Sequence, residues 1–223
     1  MVFPESIGVA PSWGEQLAPP FFAGSPLVVA PELIGCVLAS RTEGVLTAGR
    51  IVEVEAYLGS DDAGSHAATK GVTARNAVMY GPPGSAYVYF TYGNHYMLNL
   101  VCDREGVAGA VLVRALEPLV GLEQMARRRG RSRLEELCSG PGKLAQALGI
   151  DLSDNATMLG VGRVAVYAGT RSGRGEIVSS GRIGLREGHE LPYRFYESDS
   201  RWVSRARTGR APSGRKAAEG DAT

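Results

Sequence analysis

The chain has 223 residues, 44% hydrophobic and 21% charged, with a formal net charge of +1, ordinary values for a globular protein with one sizeable core. No apolar run reaches the roughly 18 residues of a membrane-spanning helix, and the N-terminus lacks the basic and apolar regions of a secretory signal. Cys36, Cys102 and Cys138 show no CxxC spacing and His66, His95 and His189 lie far apart, which argues against a disulfide framework or a metal site and for free thiols in a reducing, intracellular compartment.

Residues 1–24 are rich in Pro and Gly and read as an irregular lead-in. In SPLVVAPELIG, Ser25 can cap a helix that starts at Pro26, and Pro31 should keep that helix short or kink it. CVLAS and LTAGRIVEVEAY read as two strands joined by a turn at RTEG. In IVEVEAYLG, strict alternation puts Val52, Val54 and Ala56 on one face and Ile51, Glu53, Glu55 and Tyr57 on the other. Alternation alone treats the two acids as equals, most simply as residues of a wet sheet face. Glu55 gains weight because it precedes a long polar loop, residues 59–86, and sites are often assembled where a rigid strand meets such a loop.

YVYFTYGNHYMLNLVC then reads as a hairpin that breaks at Tyr92, Gly93, Asn94 and His95, and GAVLVRAL as a further strand. Tyr87 and Phe90 fit ordinary cross-strand packing. Tyr92, beside a glycine at the tip, is poorly placed for a core and well placed to press into a base stack. Asn99 is an amide in an apolar strand, and if buried it needs a partner, either a backbone group or a substrate edge.

LVGLEQMARRRG predicts a helix, RLEELC a second short one, and Ser139 or Gly140 before Pro141 in CSGPGKLAQALGI the start of another. The small residues there, followed by Lys143, suit phosphate contact through backbone amides, although the spacing is not that of a Walker A loop. VGRVAVY, SGRIGL and YRFYE read as short strands. From about Arg207 the tail lacks apolar anchors and reads as disordered and basic. The elements suit an α+β or β-rich fold with one folded domain over residues 1–206 and a tail over 207–223. Two Arg-rich clusters, one at Arg127, Arg128, Arg129, Arg131 and Arg133 and one from Arg201 to Lys216, could contact phosphate, but each reads more simply as a solvated helix end or a loose tail.

RIVEVEAYLG, DDAGSHAATKGVTARNAVMYGPPGSAYVYFTYGNHYMLNLV, AVLVRALEPLVGLEQM and ELCSGPGKLAQALGI together resemble the alkyladenine (3-methyladenine) DNA glycosylase family, with a weaker echo in GRIGL and LPYRFYESDSRWVS. The resemblance covers most of residues 45–150. It implies a single compact domain around a curved antiparallel sheet with surrounding helices, and a monofunctional enzyme without cofactor or metal. Such an enzyme acts as a monomer on duplex DNA, flips out alkylated or deaminated purines and hydrolyses their N-glycosidic bond. The purines in question include 3-methyladenine, 7-methylguanine, hypoxanthine and ethenoadenine.

Matched residue by residue, Glu55 stands at the general base, and Arg114 and the backbone carbonyl near Ile183 stand at groups that hold the attacking water. Tyr57, His66 and Tyr89 match the residues that sandwich the flipped base, and Asn99 the one that disfavours normal guanine. Tyr92 matches the residue that fills the gap in the stack, and Gly140 and Lys143 are expected on the DNA backbone. Glu53 is left as a structural acid. Residues 151–180 match the family poorly. The aromatic hairpin and basic clusters also suit a damage-binding module without catalysis, or a hydrolase of free nucleosides.

Overall fold

The computed structural model describes residues 13–68, 71–91, 93–169 and 175–204. Tyr92, the first part of the lead-in and the tail expected from 207 onward lie outside the described residues. Within the lead-in, residues 19–22 are not irregular as expected but form α1 (Pro19–Phe22), which drives Phe22 into the core. Helix α2 (Pro26–Leu33) starts as its sequence requires, with the Ser25 hydroxyl accepting from the Leu27 amide and Pro26 in the first turn. Pro31 stands in its last turn, so the helix is short.

Strands β1 (Val37–Thr42) and β2 (Val45–Tyr57) form a hairpin closed by Glu43 and Gly44, whose φ values of 54° and 78° fit the left-handed two-residue turn that right-twisted strands need. The second hairpin, β3 (Ala86–Thr91) and β4 (His95–Val101), pairs up to Thr91 and His95. Strand β5 (Ala110–Val120) runs four residues beyond the expected GAVLVRAL, so α3 (Leu122–Arg129) starts later than the periodicity suggests. RLEELC forms only a 3-10 turn, Leu134–Glu136, and α4 (Pro141–Leu148) follows the glycine N-cap Gly140.

Strands β6 (Val164–Tyr167), β7 (Ile177–Ser180) and β8 (Arg194–Glu197) complete the sheet. The expected strand SGRIGL is corrected: the strand is the preceding segment, β7, and residues 181–185 are irregular. The physical reason lies in their bonds, because Arg182 and Ile183 are engaged by Asp62 and Glu55 and not by a strand ladder.

All strand pairs are antiparallel, in the order β3-β4-β5-β2-β1-β6, with β8 joining β2 to β7. The result is an α+β fold on a curled sheet. Strand β2 is its spine, with β5 along one edge and β1 and then β8 along the other. Val54, Ala56, Leu98, Leu100, Val111 and Val113 form the main core with α2 and α4 through Leu33, Leu144 and Leu148. Among the described residues no helix is long and apolar enough to cross a membrane. Cys36, Cys102 and Cys138 are buried without a disulfide.

The second face of β2 is not wet. Glu53 and Glu55 have no exposed surface. Nor does the strand alternate strictly. Ile51 pairs with Leu116, Glu53 with Ala115 and Val54 with Val113, so Val52 bulges from β2 and Arg114 from β5. The bulge moves Ile51 into the main core with Val54 and Ala56, and sends Val52 to a separate cluster with Ala115 and Trp202.

Candidate active site

Register across the sheet assembles the site. Tyr87 pairs with Asn99, Asn99 with Leu112, Leu112 with Glu55, and Glu55 with Arg194. Directly opposed residues of antiparallel strands share a face, so one row carries two polar site candidates and the tyrosine beside them. A parallel row, Val101–Ala110–Tyr57, supplies the apolar base of a small cluster with Tyr87, Met79 and Ala67.

Glu55 accepts from the Ile183 amide on Oε1 at 2.7 Å, and from Tyr57 Oη at 2.8 Å and Arg114 Nη1 at 3.1 Å on Oε2. At Ile183 the observed bond is thus made by the amide. Arg114 reaches both acids, its Nε donating to Glu53 at 3.1 Å. Burial pulls the Arg114 pKa down, but Glu55 and Glu53 outweigh it and raise the net value. The bulge at Arg114 aims the guanidinium between the two carboxylates, a re-aiming bulges commonly provide beside sites. Glu53 is saturated differently: Arg194 Nε at 2.7 Å, Ser204 Oγ at 2.8 Å and the Ser204 amide at 2.6 Å join Arg114 on it.

Beside Glu55 opens a cavity of about 340 Å³, counting its mouth, whose walls include Tyr57, His66, Tyr87, Tyr89 and Asn99. The expected trio Tyr57, His66 and Tyr89 is therefore brought together, as is Asn99. Glu55 is tied to this wall through the Tyr57 hydroxyl. Burial first, and Glu55 second, push the Tyr57 phenol well above its usual pKa, so it stays a donor. His66 Nδ1 is 2.9 Å from the Tyr87 hydroxyl, and its ring meets Tyr89 edge-on at 4.7 Å. Partial burial, then the nearby Arg75 charge, lower the His66 pKa, so the imidazole is neutral at neutral pH. Asn99 is buried and gives Nδ2 to the Tyr87 carbonyl at 3.1 Å, the backbone partner its burial demands.

Sequence reasoning missed three residues. Tyr87, read as packing, lines the cavity and fixes His66; its burial pushes the phenol pKa up to about 12. Its shared parity with Tyr89 on one strand was the available signal. Asp62 and Arg182 form a buried pair, with Arg182 Nη1 on Asp62 Oδ2 at 2.7 Å and Nη2 on Oδ1 at 2.5 Å. Asp62 also accepts from the Leu58 and Gly64 amides at 3.0 Å, and Arg182 lies 4.7 Å from the Tyr57 ring centroid. The pair fastens the loop between Tyr57 and His66 to the segment that carries Ile183. These partners lie far apart in sequence, and no local pattern joins them.

Gly140 and Lys143 do not line the cavity. The segment leading into them runs beside β5, where Ser139 bridges Ala115 and the Leu116 amide donates to the Cys138 carbonyl. Lys143 Nζ is 3.3 Å from Ser139 Oγ. In the first Arg cluster, Arg127 pairs with Glu123, Arg131 and Arg133 pair with Glu136, and Arg128 and Arg129 donate to backbone carbonyls, in keeping with a solvated helix end. In the second, Arg201 packs on Trp202, and Arg205 onward lies outside the described residues. Among the described residues no three His, Cys, Asp or Glu side chains converge as metal ligands would.

A buried carboxylate wired to an aromatic cavity on an antiparallel sheet defines a candidate hydrolytic site for a flat ligand. A family profile described as methylpurine-DNA glycosylase matches residues 20–201, and the chain belongs to that family. It is 49% identical over 202 residues to a protein of Rhodopseudomonas palustris strain ATCC BAA-98 / CGA009, covering 91% of this chain and 94% of that one. It is 49% identical over 188 residues to one of Methanoculleus marisnigri, covering 83% and 96%, and 46% over 196 residues to one of Koribacter versatilis, covering 85% and 94%. Each of these relatives is named, provisionally, a 3-methyladenine DNA glycosylase.

Proposed function

We propose that the chain is a monofunctional DNA base-excision repair glycosylase that flips alkylated or deaminated purines out of duplex DNA and hydrolyses their N-glycosidic bond. The observation that carries this reading is the link from fully buried Glu55, through the Tyr57 hydroxyl, to the aromatic cavity. Glu55 orients a water and takes its proton as the oxygen bonds to C1′ of the sugar. The bond from C1′ to the purine nitrogen breaks, its electron pair leaves with the base, and an abasic site remains. General-base help of this kind is worth roughly 10²–10⁴-fold. Arg114 and the Ile183 amide hold the carboxylate in place, and the Ile183 carbonyl helps hold the water.

Alkylation at N3 or N7 makes the purine a cation and a good leaving group. Tyr57, His66 and Tyr89 form the sandwich for it, each cation–π contact worth about 0.5–2 kcal/mol, and the neutral imidazole adds no repulsion. Asn99 stands where the exocyclic amino group of normal guanine would meet the wall. Flipping costs a few kcal/mol, less at a damaged pair, and Tyr92 at the hairpin tip offsets part of it by filling the stack. Gly140 and Lys143 contact the DNA backbone. The enzyme works as a monomer and without a cofactor. None of the matched site positions is a lysine that could form a Schiff base, so lyase activity is not expected.

Incubating the protein with duplexes carrying 3-methyladenine, 7-methylguanine, hypoxanthine or ethenoadenine tests this. The expected result is release of free base, an alkali-labile abasic site and no strand break before alkali. Tight binding without base release would instead favour the damage-binding module. Turnover of free nucleosides, without the steep loss of DNA affinity in salt that phosphate contacts produce, would favour the nucleoside hydrolase.

A further inference from the structure

The cavity walls are not electrically alike. Tyr57 carries Arg182 on its ring, but Asp62 neutralises that guanidinium. Across the cavity the Arg75 guanidinium lies 5.2 Å from the Tyr89 ring centroid. Among the described residues no carboxylate forms an ion pair with Arg75. Its place is set by its neighbour. Asn76 is buried, and its Nδ2 donates to the His66 carbonyl at 2.8 Å and the Gly71 carbonyl at 2.9 Å, pinning the turn that carries Arg75 to the cavity rim. The charge is felt inside, where Arg75 ranks next to burial among the influences on both His66 and Tyr87.

We infer that Arg75 is a specificity-determining residue: its positive charge on the Tyr89 wall, without a carboxylate partner among the described residues, disfavours a cationic purine in the cavity relative to a neutral one. The inference rests on the proposed glycosylase function. It follows from two effects of one sign. The guanidinium already draws on the electron-rich Tyr89 ring, which leaves that ring a weaker partner for a cation, and it repels a second positive charge brought against the same ring. Aromatic composition alone would make the cage a cation trap, and Arg75 weakens that preference.

Single-turnover release of 7-methylguanine, cationic in DNA, and of hypoxanthine, neutral, should be timed on otherwise identical duplexes for wild type, Arg75→Gln and Arg75→Lys. Where a lesion is released too slowly to time, its Kd in the Glu55→Gln background replaces the rate. Arg75→Gln should raise the preference for 7-methylguanine over hypoxanthine about three- to tenfold, the exposed charge being partly screened. Arg75→Lys, which keeps the charge, should stay within about twofold of wild type. An unchanged ratio in Arg75→Gln overturns the inference. So does an equal fall for both lesions with a shallower salt dependence, which would make Arg75 a phosphate contact. Wild type releasing neither base would instead overturn the glycosylase reading itself.

Discussion

Glu53 and Glu55 stand on one strand, both without exposed surface, and Arg114 touches both. Their other partners separate them. Glu53 is bonded by Arg194 and by the amide and hydroxyl of Ser204, groups that join β8 and the last described segment to β2. Glu55 is bonded by Tyr57, which lines the cavity, and by the Ile183 amide on an irregular segment. Burial alone therefore does not mark a catalytic acid. A carboxylate none of whose donors reaches a cavity is a joint. One whose partners lead to a cavity is available for chemistry.

Substitutions can break this comparison or sharpen it. The largest stability effect is expected from Glu53→Gln, which leaves Arg114 and Arg194 without a full counter-charge. Removing one side of a buried pair costs about 3–5 kcal/mol, on the order of 10 °C in Tm for a chain of this size. Thermal melts check this, and a loss under about 1 kcal/mol would mean that Glu53 is not the joint described. Asp62→Asn should follow at about 3 kcal/mol for the same reason. It should also slow base release, because the pair fastens both the Tyr57–His66 loop and the segment of Ile183. Melting and single-turnover rates, measured together, separate it from Glu53→Gln, whose effect falls mainly on stability.

Tyr87→Phe removes the hydroxyl beside His66 and should cost about 0.5–1.5 kcal/mol, with a larger loss in base release than in Tm because the ring it fixes is freed. The smallest effect is a titration. The His66 midpoint, followed by NMR, should fall below its ordinary 6.5. The unfolded chain then takes up that proton first, so the small stability His66 contributes is present above about pH 6.5 and fades as the pH drops through the folded midpoint. A midpoint at or above 6.5 would contradict the neutral wall.

Local pattern carried much of the fold. Ser25 and Pro26, the GPG before α4, and the apolar and β-branched runs of β1 to β5 each state their element in adjacent residues. The extra length of β5 was not legible, because Glu117 and Pro118 look like a strand end until β2 is seen to pair with both. The bulge at Val52 was hidden for a related reason. Alternation assumes an unbroken ladder, and only the partner strand shows where a residue has been skipped. For the candidate site, the resemblance to the glycosylase family picked out Tyr57, His66, Tyr89 and Asn99, which the sheet and the loop after β2 then bring to one cavity. Arg182 escaped because its role depends on Asp62, which reaches it only through the tertiary fold.

The most direct test of the central claim compares Glu53→Gln with Glu55→Gln in single-turnover base release, at a temperature where circular dichroism shows both variants folded. The account predicts a fall of about 10²-fold or more for Glu55→Gln with binding to damaged DNA largely retained. For Glu53→Gln it predicts a fall of under about tenfold. Equal losses in the two variants, or full base release by Glu55→Gln, would contradict it.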